Sequence, residues 1–166
     1  MIAATLGNVD LLKLNITAFL CSRKVPARAV LKCYDWAIAQ REQGNCVASG
    51  FHSQLEKDVL HYLLKGTQPI IVALARGLKK RLEPAFQKPM KEGRLLIVTP
   101  FTTDIRRVTE QTAAIRNEMM LKLADCVTLG YASKGGQLEK LLSSYSKPTI
   151  NLMNVFNGNF EGRVDI

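Results

Sequence analysis

The chain has 166 residues, 47% of them apolar, and a formal net charge of +9. That apolar share, with a mean hydropathy of +0.01, excludes disordered, collagen-like and low-complexity classes, and the length suffices to bury one domain's core. The excess of 23 Lys and Arg over 14 Asp and Glu favours a partner carrying negative charge, whether nucleic acid, nucleotide phosphate or an acidic membrane face.

No run reaches the roughly 20 apolar residues that span a bilayer. The most apolar early run, Leu11 to Cys21, contains Lys13 and Asn15, and Met1 to Asp10 has neither a basic start nor a secretory apolar core, so a cytoplasmic protein is expected. Cys21, Cys33, Cys46 and Cys126 lack the pair spacing of a metal site and read as buried reduced thiols.

From about residue 11 to residue 22, an apolar and β-branched run predicts the first strand. Pro26 suits a first helical position, Val30, Cys33, Ala37 and Ile38 share a helical face, and Gly44 closes that helix. Asn45 to Gly50 is a short strand. Ser53 with Glu56 three residues on makes a capping box, and Leu55, Val59 and Leu63 form the stripe of a helix ending near Gly66. Pro69 to Ala75 is a near-continuous apolar strand, as expected with both sheet faces covered. Lys79 to Met90 reads as an irregular helix broken by Pro84 and Pro89, and Arg94 to Pro100 as a strand after Gly93. Thr103 or Asp104 caps a long helix reaching about Ala124, with Val108, Ile115, Met119 and Leu123 inward. A strand from Asp125 to Gly130, a helix from Gln137 to Ser144 with Leu138, Leu141, Leu142 and Tyr145 facing in, and a last strand over 148–153 follow. Residues after about 154 show no pattern and read as a tail. Six strands alternating with helices, on short links and without a repeat or linker, predict one α/β domain over residues 1–166: a doubly wound, mainly parallel six-stranded sheet with helices on both faces.

In such sheets ligands bind beyond the carboxyl ends of the strands. The loops there carry Ser22, Arg23 and Lys24; Gly50, Phe51, His52 and Ser53; Arg76, Gly77, Lys79, Lys80 and Arg81; Arg106 and Arg107; and Ser133, Lys134, Gly135 and Gly136. The loops of the opposite edge hold fewer cations, so the charge gathers on one rim. The turn YASKGG, between a buried strand and a helix start, suits a phosphate: its glycines allow close approach, the helix N-terminus offers N–H groups, and Lys134 adds a charge. No Gly-x-Gly-x-x-Gly follows the first strand, and neither a Walker-type loop nor a Gly-x-Ser-x-Gly elbow is present, so no cofactor and no catalytic residue is expected. His61 reads as an ordinary helix residue, whereas His52 stands in a binding-edge loop.

The loops also carry an ordered set of motifs: Cys21-Ser22-Arg23 after the first strand, Ser49-Gly50-Phe51-His52-Ser53-Gln54-Leu55-Glu56 after the second, VALARGL at Val72 to Leu78, GRLLIVTP ending at Pro100, Arg116-Asn117-Glu118, and Ser133-Lys134-Gly135-Gly136. Over residues 14 to 152 this order resembles the DprA/Smf family, Rossmann-like DNA-processing proteins that bind single-stranded DNA. The wider superfamily also holds the LOG phosphoribohydrolases. Relative to the DprA pattern, Cys21 and Gln54 replace glycines, Glu56 an aspartate, Glu118 an arginine and Val98 a glutamate. A LOG-type enzyme would need a glutamate where Lys140 stands, and a cation is the wrong sign beside an oxocarbenium-like sugar.

The resemblance implies a Rossmann-like, non-catalytic domain that holds single-stranded DNA or a nucleotide on the rim, as a homodimer. Arg23, Arg76, Arg116 and Lys134 would contact phosphates. Ser22, Gly50, Gly135 and Gly136 would supply backbone N–H groups and closeness. Ser49, Gly77, Asn117 and Ser133 complete the set, and Phe51 is the ring that either stacks on a base or packs inside. For Arg116 the alternative is a structural ion pair with a neighbouring carboxylate.

Overall fold

The structure, a computed structural model, describes residues 1–155; most of the expected tail lies outside the described residues. Its elements are β1 (Ala4–Gly7), β2 (Ile16–Cys21), α1 (Ala27–Gln43), β3 (Cys46–Ser49), α2 (Gln54–Leu64), β4 (Ile70–Ala73), α3 (Pro84–Lys91), β5 (Leu95–Thr99), α4 (Glu110–Leu123), β6 (Cys126–Tyr131), α5 (Gln137–Ser143) and β7 (Thr149–Asn151). The apolar runs pair into one sheet in the order β1-β5-β4-β3-β2-β6-β7. Every pairing from β5 to β7 is parallel, and β1 runs antiparallel to β5, from Ala4 opposite Thr99 to Gly7 opposite Leu96. The sheet thus has seven strands where six were expected. β1 is only four residues, Ala-Thr-Leu-Gly, and its alanine and glycine are types depleted in strands, so it carries little local strand signal and depends on β5 for its conformation.

Successive strand residues point to opposite faces, and both faces are covered. Phe19, Val47, Ile70, Val72, Leu95 and Ile97 pack beneath α1, α2 and α3, while Ala18, Leu20, Ala48, Ile71, Leu96 and Val127 pack beneath α4 and α5. Phe19 stacks on Trp36 of α1 with ring centroids 4.9 Å apart. Double coverage is why these strands read as continuous apolar runs. All four cysteines are free thiols, Cys126 only half-buried, and burial pushes the Cys46 thiol up to about 12.

Several element boundaries differ from expectation for local reasons. The first long strand starts only at Ile16, because Val9–Lys13 winds into a 3₁₀ turn whose cap, Asn8, accepts from the Asp10 N–H at 3.1 Å. Pro84 starts α3 instead of breaking it, since a proline lacks only the N–H that a first helical residue would leave unpaired. α4 is capped by Thr109, not Thr103 or Asp104; Thr109 and Thr112 exchange side-chain-to-backbone bonds at 2.9 and 3.1 Å. The buried stripe of α4 is also rotated, enclosing Arg116, Met119, Met120 and Leu121 and leaving Ile115 39% exposed. The Ser53–Glu56 capping box of α2 forms as read. Among the described residues no helix is long and apolar enough to cross a membrane.

Candidate functional site

Parallel pairing brings the carboxyl ends of β2, β3, β4, β5 and β6 to one edge of the sheet. The chain moves outward from β2 in one direction through β3, β4 and β5, then returns to β2's other side as β6. This reversal of strand order is where the two flanking loops diverge and leave room for a ligand. Here the loops are tied together: the Ser22 N–H donates to the Tyr131 carbonyl at 2.8 Å, and the Ser133 N–H to the Ser22 hydroxyl at 3.0 Å. Arg23 and Lys134 are exposed on either side of this tie.

The backbone of the Lys134 turn is closed. Gly135 adopts a left-handed φ of +71°, and its N–H donates to the Glu139 carboxylate. The Gly136 N–H donates to the Ser133 carbonyl at 2.9 Å. The N–H groups of Ser22, Gly135 and Gly136 are therefore engaged within the chain, which corrects their expected role as donors to an anion. What the turn presents outward is the Lys134 side chain.

The buried centre of the edge is Arg116. It lies on α4, 6% exposed, with Nη1 donating to the Ala73 carbonyl at 3.1 Å and Nε to Asn117 Oδ1 at 2.8 Å. Gly50 makes room for it: a Cβ at residue 50 would stand 1.8 Å from Nη1. Among the described residues Arg116 forms no ion pair, and Nη2 donates no hydrogen bond. The ion-pair alternative is thereby corrected. The nearest carboxylate in effect is Glu56, whose Oε2 is committed to the N–H groups of His52 and Ser53 at 2.8 and 3.0 Å. Burial lowers the Arg116 pKa, and the Glu56 charge acts against that shift. A guanidinium is poorly stabilised with its charge uncompensated in low dielectric, so Arg116 is electrostatically suited to an arriving anion.

The loop that holds Glu56 in place is strained. Phe51 has φ +46°, a left-handed conformation costing about 1–2 kcal/mol for a residue with a side chain. Its ring is 6% exposed and belongs to the core cluster containing Leu55 and Val59. Phe51 packs inside, so the stacking role is corrected; burial of the ring is what offsets the strained turn. Ser49 is fully buried, and its hydroxyl accepts from the Phe51 N–H at 3.4 Å, supporting the same turn.

The remaining candidates extend the edge toward β5. The Thr99 hydroxyl donates to the Arg76 carbonyl at 2.6 Å, and the Gly77 N–H to the Ile105 carbonyl at 2.8 Å, which stitches the loops after β4 and β5 together. Arg76 stands two strands from Arg23, or ~10 Å at the usual ~4.8 Å spacing. Arg23, Arg76, Arg116 and Lys134 thus all lie at one edge. His52 is exposed there as well; burial, Arg116, Arg23 and Lys57 each depress its pKa, and Glu56 opposes them. The Ala73 carbonyl, which fixes Arg116, has no sequence signal, because any residue supplies one.

No protein-family model matches the chain, and neither does any curated protein sequence. Solved structures do resemble it in fold. DNA processing protein A of Streptococcus pneumoniae superposes with a TM-score of 0.69 at 16% identity, over 89% of this chain and 53% of that one. The protein of the same name from Helicobacter pylori, whose structure addresses its single-stranded DNA binding mode, gives 0.71 at 18% identity, over 93% of this chain and 74% of that one. The molybdenum cofactor carrier protein of Chlamydomonas reinhardtii gives 0.54 at 11% identity, over 83% and 75%. The chain therefore spans about half the length of the pneumococcal protein, and its Rossmann-like fold is shared with both groups.

Proposed function

We propose that this chain is a non-catalytic, DprA-like binding domain that holds single-stranded DNA, or the phosphates of a nucleotide, on the basic edge formed by Arg23, Arg76, Arg116 and Lys134. One observation carries the reading: Arg116 is buried beyond the carboxyl ends of β3 and β4, against Gly50 and the Ala73 carbonyl, and among the described residues it has no carboxylate partner and an Nη2 free to donate. Arg23 and Lys134 add exposed charge on either side of the reversal of strand order between β2 and β6. Similarity of fold to DNA processing protein A supports nucleic acid as the occupant. The LOG-type hydrolase finds no support in the residues, since Lys140 occupies the glutamate position and the nearby Glu139 carboxylate is turned back onto Gly135. A homodimer belongs to the same proposal.

The test is a salt titration of fluorescent oligonucleotide binding. With three or four phosphates engaged, log affinity falls with log salt at a slope of about −2 to −3, at ~0.7 per phosphate for single strands. Absence of binding at low salt overturns the nucleic-acid reading. Release of free base from nucleoside monophosphates overturns the non-catalytic one.

A further inference from the structure

His52 lies at this edge but is not among the residues given a phosphate contact above, and its surroundings are unusual for a surface histidine. It follows Phe51 directly, so the left-handed turn that carries Gly50 past Arg116 also delivers the imidazole to the ligand edge. Its main-chain N–H is held by Glu56 at 2.8 Å, which fixes the residue at the start of α2. The ring is exposed, and among the described residues neither imidazole nitrogen forms a hydrogen bond. The charged groups that act on it come from three elements: Arg116 from α4, Glu56 and Lys57 from α2, and Arg23 from the loop after β2. The one carboxylate among them is already engaged by two backbone N–H groups. A donor-capable ring thus stands unbonded among three cations whose common demand is for negative charge.

Resting on the reading of this edge as a phosphate site, we propose that the His52 imidazole is itself a ligand of the bound phosphate, engaging it as imidazolium and drawing one proton from solvent as the nucleic acid binds. The sign follows from the neighbours. In the free chain, burial, Arg116, Arg23 and Lys57 all disfavour the charged ring. A phosphate diester adds negative charge beside it and reverses that preference. Protonation and binding therefore favour each other, and affinity rises as pH falls through the range in which histidine titrates, between about pH 5 and 8. Affinity gains about tenfold for each unit by which the anion raises the imidazole pKa.

The experiment measures binding of oligothymidylate, which carries no base that titrates in this range, across those pH values. Wild-type chain, His52→Gln and His52→Lys are compared, and oligonucleotides without terminal phosphates keep the ligand's own charge constant. The expected result is an affinity that strengthens roughly tenfold toward the acid end for the wild type, a flat and weak profile for His52→Gln, and a flat and tight one for His52→Lys. The ring is exposed, so neither substitution threatens the fold, and circular dichroism checks that directly. If His52→Gln keeps the wild-type pH profile, the histidine is not a ligand and the proposal falls while the phosphate site stands. If the folded wild-type chain binds no oligothymidylate at any pH, the site and the proposal fall together.

Discussion

Two arginines are buried at opposite ends of the same sheet, and they differ in how their nitrogens are used. Arg94, just before β5 and 7% exposed, is closed: Nε donates to Glu92 at 2.7 Å, Nη1 to the Gln68 carbonyl at 3.3 Å and Nη2 to the Leu64 carbonyl at 3.3 Å. Arg116, 6% exposed beyond the ends of the parallel strands, has a backbone carbonyl and an amide but, among the described residues, neither a carboxylate nor a partner for Nη2. Burial alone therefore does not separate a closed structural cation from one with a donor to spare, the state that the proposed binding role of Arg116 requires. The count of satisfied donors does.

Replacing each arginine by methionine separates the two most strongly. Arg94→Met strands the Leu64 and Gln68 carbonyls and leaves Glu92 only Lys88, 3.8 Å away, so urea denaturation should show a loss of about 3 kcal/mol with oligonucleotide affinity per folded molecule unchanged. Arg116→Met should alter stability by less than about 1 kcal/mol, because removing a poorly compensated buried charge offsets the lost bonds. It should weaken oligonucleotide binding roughly 10–100-fold, the worth of a hydrogen bond to a charged group. Equal losses of stability from both would make Arg116 structural and end the contrast.

Gly50→Ala sharpens the comparison without substituting either arginine. The new methyl must displace the Arg116 guanidinium, at about 1–2 kcal/mol for overpacking. Its binding defect should match that of Arg116→Met. The double variant should be no worse than either single one, since both act on the same group, and additive affinity losses in the cycle would contradict this. The smallest expected effect belongs to Lys134→Ala. An exposed side chain contributes within about 0.5 kcal/mol to stability, whereas loss of one phosphate contact should make the salt slope shallower by ~0.7.

The parallel order and the shared edge were legible because each central strand is buried on both faces and so announces itself as an apolar run. Ser53 and Glu56 were legible as a cap because their interaction is local. The identity of the central cation was named, but not its state. The apolar positions of α4 suggested a stripe through Ile115, and only packing against the sheet rotates the helix so that Arg116 faces in beside Gly50 and Ala73. The Lys134 turn shows the reverse. Its glycines advertised free backbone donors, but Glu139 four residues later and the carbonyl of Ser133 close them, and nothing in the composition of the turn distinguishes an open loop from a closed one.

β1 has a consequence for the order in which the molecule is made. It precedes every other described strand of the sheet, yet its strand partner, β5, ends at Thr99 and is synthesised some ninety residues later. The parallel pairs β2–β3, β3–β4 and β4–β5 close over much shorter stretches of chain, β2–β6 over a longer one still, and closing a longer loop costs more entropy. The first strand of the sheet to be made is therefore held in waiting while β2 to β5 come together, and it closes that edge only once β5 is in place.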